Sequence, residues 1–348
     1  MRRRDVLGIG AGVLSAATLA GCMGSESSPN GDQTTPSDDR PNGVYVQSFK
    51  EGMSMQGSAE AGDYRVGLMY TEPHQFWRMA GDERTEEPIA DGDSVHLMAI
   101  VWDPETGTVI PETGLSVEIR QEGAFEEQVI YPMLSQTMGF HYGANFELNG
   151  DGEHAVRATV GGLNIRRTGT FDGRFDDPAS TTIDITFNEE TRQEISFREL
   201  DSAGQPGAVK PMEMMMPTGI APAVESLPGT VLGAERSDDA KLVATVISES
   251  PPVGDEYLAI SARTPYNDLL LPAAAFEATV ERDGETVFEG PLERTLDPEL
   301  KYHYGAAVDS LDAGDDITVS TVTPPQVARH EGYERAFIEM DDVTFTVQ

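Results

Sequence analysis

The four residues His141-Tyr142-Gly143-Ala144 return as His303-Tyr304-Gly305-Ala306, 162 positions later. Other anchors keep nearly the same offset: Pro111 with Pro272, Glu122-Gly123 with Asp283-Gly284, Gly152 with Gly314 and Val160 with Val322. Anchors spread this widely at one offset mark an internal duplication. Whatever one copy folds into, the other must be able to fold into as well. Each copy consists of short apolar or alternating runs set between Gly, Pro and Asp turns. The runs in the first copy are 64–70, 94–101, 115–121, 128–131, 154–160 and 182–187. Those in the second are 241–248, 256–263, 276–282, 285–289, 317–322 and 342–347. No long segment keeps a 3.6-residue apolar repeat. Many short strands at such spacing predict an all-β chain of two tandem immunoglobulin-like β-sandwich domains, at 44–198 and 236–348. A Met-, Pro- and Gly-rich linker at 199–235 joins them. Asp283-Gly284, between two strand-like runs, predicts a tight hairpin.

The N-terminus reads as an export signal rather than as fold. Arg2-Arg3-Arg4 precede Asp5-Val6-Leu7, a short run of Gly, Ala, Val and Leu, and then Leu19-Ala20-Gly21-Cys22. The apolar run is too short to span a membrane. Paired arginines resemble a twin-arginine signal, and Leu-Ala-Gly-Cys resembles a lipobox. Residues 1–21 would then be removed and Cys22 lipid-modified, anchoring the protein to the outer face of the cell membrane. Residues 22–43, rich in Ser, Pro, Gly and Asp, read as a flexible tether. Cys22 is the only cysteine, so the chain has no disulfide framework and no thiolate metal cluster.

The chain carries 60 Asp plus Glu against 24 Lys plus Arg, a formal charge of −36. Such a surface repels nucleic acid and anionic lipid. It suits a protein kept soluble in strong salt, where screening removes the self-repulsion.

The six histidines are His74, His96, His141, His154, His303 and His330. There is no Gly-x-Ser-x-Gly elbow and no phosphate-binding glycine loop, so substrate turnover is not implied. Histidine and methionine together point elsewhere. His96 and Met98 are two apart in a strand and face the same way. Met133 and His141 flank a turn-like loop at 134–140 that could bring imidazole and thioether together. Imidazole suits copper, iron and zinc, and thioether is a soft ligand favouring copper(I).

These residues resemble a known family, the periplasmic iron-transport proteins that accompany bacterial ferrous-iron uptake systems and bind copper or zinc. The resemblance spans roughly residues 64–160. Tyr70-Thr71-Glu72-Pro73 matches the family's Tyr-x-Glu-Pro. Val95-His96-Leu97 matches its Val-His-Leu-Glu strand, with Met98 in place of Glu. Tyr131-Pro132-Met133 and His141-Tyr142-Gly143-Ala144-Asn145 match its Met-Pro-Met and His-Tyr-Gly-Ala-Asn blocks, with a loop one residue longer. The resemblance implies a copper or iron ion held by His96, Met133 and His141. Met98 stands at the position of the family's Glu ligand, which removes a negative charge and tilts the site toward softer copper. The family's later histidine, downstream of Pro-Pro, is missing from domain 1, but Pro324-Pro325 precede His330 in domain 2. Family members are dimers, and a fused pair would replace the dimer if His330 reached across to complete the domain 1 site.

The implied function is a lipid-anchored, extracytoplasmic metal-binding protein that assists a membrane permease in metal uptake. The alternative is a non-catalytic adhesion or scaffold protein that has lost its metal. Domain 2 serves as an internal comparison. The counterpart of His96 falls near Leu258, and that of Met133 near Arg294 and Thr295, while the His-Tyr-Gly-Ala block persists. That block therefore has a structural reading as well, with the histidine bonded to backbone. His74 and His154 read as surface residues, and Trp77 and Trp102 as packing or rim residues. The Met-rich segment 212–216 is either an interdomain plug or a set of thioether donors. Met53 and Met55 raise the same question.

Overall fold

Short alternating runs make strands because a strand buries every second side chain while its neighbours satisfy its backbone groups. The computed structural model describes residues 40–121 and 123–348, and residues 41–348 form one unit. The export signal, Cys22 and most of the expected tether lie outside the described residues.

The N-terminal half contains β1 (Phe49–Glu51), β2 (Ser54–Ala61), β3 (Tyr64–Thr71), β4 (Phe76–Ala80), β5 (Glu83–Glu87), β6 (Val95–Trp102) and β7 (Ser116–Gln121). It continues with β8 (Ala124–Gln128), β9 (Tyr131–Ser135), β10 (Gly139–Phe146), β11 (Gly152–Val160), β12 (Arg166–Arg167), β13 (Ala179–Phe187) and β14 (Phe197–Glu199). The C-terminal half contains β15 (Thr230–Ser237), β16 (Ala240–Ile247), β17 (Glu256–Arg263), β18 (Ala275–Arg282) and β19 (Glu285–Asp297). It ends with β20 (Lys301–Val308), β21 (Asp316–Thr323), β22 (Ala328–Arg329) and β23 (Val343–Thr346). The protein is all-β, and its one described α-helix is the five-residue α1 (Glu189–Gln193).

The two halves repeat one strand order. β2-β3-β6-β10-β9 in the first is matched by β15-β16-β17-β20-β19 in the second. The facing layer β13-β11-β7-β8 is matched by β23-β21-β18-β19. The run at 128–131, expected as a strand, is instead the break between β8 and β9, where the chain passes from one layer to the other. In the second half β19 makes the same passage unbroken, pairing with β18 through its first part and with β20 through its last. At the expected hairpin, Asp283 and Gly284 have φ of 53° and 81°, so both central residues are left-handed as a type I′ turn requires.

Tyr64 and Tyr70 on one face of β3 reach into the facing layer, donating to the carbonyls of Phe175 and Thr186. The opposite face carries Met69, Met98, Ile100, His96 and His141, all buried. In a two-layer sandwich that face would meet water. Here the linker and second half cover it. Met216 packs over Gly67, and Thr218 and Leu269 lie against Gly139.

One short strand leaves its own half. β22 inserts into the first sheet, parallel to β9 and antiparallel to β4, giving the order β10-β9-β22-β4-β5. Gln326 just before it bonds both backbone groups of Gly81 in the β4–β5 turn. The backbone N–H of His330, just after it, donates to Leu134 O at 3.1 Å.

Candidate metal centre

Antiparallel pairing puts directly opposed residues on the same face. His96 on β6 opposes Asn145, Met98 opposes Gly143, and Met133 on β9 opposes His141 on β10. All of these side chains therefore project from the covered face. Gly143 sits between them. A Cβ at this position would lie 2.8 Å from His96 Nε2 and 2.8 Å from Met133 Sδ, so both donors converge on the space that glycine leaves open. β22 delivers His330 to the same place, its ring centroid 5.1 Å from that of His141 and 5.4 Å from that of His96.

The loop between β3 and β4 adds His74, which sequence reasoning placed on the surface. Its ring lies 4.0 Å from that of His96 and 4.9 Å from that of His330. Asn145 holds the loop, its side chain bonding both the N–H and the carbonyl of His74. The ligand atoms of His74, His96 and His330 lie within 4.8 Å of one another, and this cluster could hold a metal ion. The only sequence signal for His74 was its place directly after the Tyr-x-Glu-Pro block.

The hydrogen bonds fix which nitrogen of each ring carries its proton. His96 Nδ1 donates to Asn145 Oδ1 at 2.8 Å, and His141 Nδ1 donates to Gly139 O at 3.0 Å. His74 Nδ1 donates to Glu72 O at 3.2 Å, which leaves its Nε2 as an acceptor. His330 Nδ1 fills that role by donating to His74 Nε2 at 3.0 Å. The consequence is that His96, His141 and His330 each present an Nε2 lone pair. All three atoms are buried and have no hydrogen-bond partner among the described residues. Leaving a buried polar atom unsatisfied costs about 1–3 kcal/mol. His96 Nε2 lies beside the Met133 thioether, and the His330 ring lies beside those of His96 and His141, so these lone pairs are arranged for a group that accepts them, and a metal ion fits this donor set, although His141 stands outside the group whose ligand atoms lie within 4.8 Å of one another. His74 belongs to the cluster by distance, but both its nitrogens are engaged. It acts as a positioning residue that sets the tautomer of His330.

Burial keeps the site uncharged. Desolvation holds His96 and His330 well below the ordinary histidine value, and pushes His74 and His141 down to about 4. Neutral imidazole is the form that ligates. Glu51 on β1 approaches His74 Nδ1 at 3.8 Å, and burial raises its carboxyl to about 7. Phe76, Met133 and Ala328 form a small apolar wall around the donors.

Met98 faces the same side but packs in the main apolar core, opposite Met69. His154, expected on the surface, is buried and bonds Gly150 O through Nε2. Trp77 is fully buried packing, and Trp102 is also buried.

The second half carries the same scaffold in a closed form. His303 opposes Thr295, and Gly305 opposes Ala259, so strand register makes Tyr257, rather than the neighbouring Leu258, the counterpart of His96. His303 Nδ1 donates to Lys301 O at 3.0 Å, as His141 does to Gly139, but its Nε2 meets Tyr257 Oη at 3.0 Å. Both ring nitrogens are satisfied, so nothing there calls for a metal.

Residues 225–346 match the family described as Domain of unknown function (DUF7350). No curated protein matches the chain. Among solved structures the chain is similar to a copper-bound variant of FetP from uropathogenic Escherichia coli strain F11, with 22% identity and a TM-score of 0.31 over 40% of this chain and 97% of that one. It is also similar to FetP of that strain in its as-isolated form, with 20% identity and a TM-score of 0.31 over 39% of this chain and 95% of that one. At this distance the likeness carries no weight for function. Among the described residues no helix is long and apolar enough to cross a membrane.

Proposed function

We propose that this chain is an extracytoplasmic, lipid-anchored metal-binding protein that holds copper through His96 Nε2, His141 Nε2, His330 Nε2 and Met133 Sδ. The observation that carries the reading is the set of three buried imidazole nitrogens without a partner among the described residues, with His96 Nε2 beside the Met133 thioether and the His330 ring beside those of His96 and His141. Three imidazoles and a thioether, with methionine rather than carboxylate at position 98, suit copper better than ferrous iron. In this reading the protein assists a membrane permease in metal uptake and turns over no substrate. Cys22 carries the lipid, and the acidic surface keeps the protein soluble in strong salt. The matching strand orders of the two halves support a duplication in which one copy keeps the metal and the other lends it His330.

The test is a titration of the purified mature protein with copper(I), copper(II) and iron(II). Wild type is expected to bind one copper tightly, and His141→Ala or His330→Ala to weaken it at least about tenfold. Equal copper binding by wild type and both variants would remove the site. Tight iron(II) binding with weak copper binding would reverse the choice of metal.

A further inference from the structure

Strand register places three methionines in one row. Met55 on β2 opposes Met69 on β3, Met69 opposes Met98 on β6, and Met98 opposes Gly143 on β10. The row lies on the covered face and ends at the glycine over which His96 Nε2 and Met133 Sδ meet. Its outer end opens into a cavity of about 530 Å³, lined among others by Met55, Trp102, Met215 and Met216. Met215 is 92% exposed at its mouth, and Met216 is buried over Gly67, beside Met69 on the same face. Within the segment 212–216, Met216 is buried over Gly67 while the Met215 thioether is exposed.

Residues directly opposed across strands have Cβ atoms about 4.5–5.5 Å apart, so neighbouring thioethers in the row can reach one cation together. Strands are spaced about 4.8 Å apart, so three steps cross from the edge strand to the metal centre. A thioether is uncharged, polarizable and mobile about three bonds, and it favours soft ions over hard ones. Filling a core does not require methionines in one continuous row, nor a large apolar side chain left 92% exposed at the end of it.

We infer that the row Met55–Met69–Met98 is a conduit that passes copper(I) from the Met215 cavity to the histidine centre, handing it from one thioether to the next until Met133 receives it. The ion keeps its charge throughout, so no oxidant or reductant is required. This inference rests on the metal centre proposed above.

The experiment follows transfer of copper(I) from a coloured chelator to the full mature protein by stopped flow, with copper(II) loading as a parallel measurement. Leucine conserves volume and removes sulfur, so Met55→Leu/Met69→Leu should fold normally. The half-buried Met55→Leu alone and the exposed Met215→Leu serve as milder variants. The double variant is expected to load copper(I) at least about tenfold more slowly, with unchanged final stoichiometry and affinity and an unchanged copper(II) rate. Copper(I) loading at the wild-type rate in the double variant, with the centre still filling, overturns the conduit and leaves the centre standing. A wild-type protein that takes up no copper(I) at the histidines overturns both. Equal slowing of copper(I) and copper(II) overturns the conduit as well, because a softness-selective path must discriminate between them.

Discussion

Gly143→Ala probes the centre without touching a ligand. The added methyl would stand 2.8 Å from both His96 Nε2 and Met133 Sδ, closer than ordinary van der Waals contact. Gly143 has no positive φ, so alanine meets no backbone strain there. The two side-chain ends must instead move apart, at an overpacking cost of about 1–3 kcal/mol. For a folded unit of about 300 residues the unfolding entropy near the midpoint is about 0.6 kcal/mol per degree. The metal-free variant should therefore melt about 2–5 °C below wild type. The larger effect is on binding. Free copper(I) held at 1,000 times its Kd stabilises wild type by about 4 kcal/mol, or about 6 °C. Gly143→Ala should lose most of that rise, because its donors no longer share a point. The control is Gly305→Ala in the second half, where the methyl would meet Tyr257 Oη and the backbone oxygen of Leu258, the latter at 2.8 Å. Backbone yields less readily than a side-chain end, so the control should lower the metal-free melting point more yet keep the copper-induced rise. The assay is scanning calorimetry with and without chelator-buffered copper(I). A full rise in Gly143→Ala, or its loss in Gly305→Ala alone, would refute the convergence argued for the first half.

Two further outcomes follow from the hydrogen bonds. His74→Ala removes the acceptor that fixes the tautomer of His330, and equilibrium dialysis should show copper affinity falling about 10–100-fold with stoichiometry unchanged; an unchanged affinity would show that His74 positions nothing. Burial pushes His303 down to about 4, below the ordinary 6.5, so the unfolded chain takes up its proton first. The stability contributed by His303 is fully present above pH 6.5 and is lost as pH falls from 6.5 toward 4. Urea midpoints of wild type and His303→Gln should therefore converge on acidification, and parallel curves would contradict the assignment.

The sequence by itself determined the all-β class, because alternation and turn chemistry are local properties, and it pointed to His96, Met133, His141 and His330 through a family resemblance and a recurring tetrapeptide. Turn chemistry is equally local, which is why Asp283-Gly284 forms the expected turn, whereas strand register was not legible and makes Tyr257 rather than Leu258 the counterpart of His96. Sequence could not place His74, since a histidine after proline in a loop looks the same whether the loop meets water or folds inward. Only the tertiary structure decided that. It also decided that β22 leaves the second half to pair with β9 and β4, bringing His330 beside His141 from 189 positions away. Most telling is the difference between the two His-Tyr-Gly-Ala blocks, which are identical in sequence. At His303 the neighbouring strand offers Tyr257, whose hydroxyl satisfies Nε2. At His141 the neighbouring strand offers Met133, the His330 ring lies 5.1 Å away, and neither satisfies that nitrogen. Whether a buried imidazole is structural or a metal ligand is settled by what faces its second nitrogen, and that is a property of packing between strands far apart in the chain.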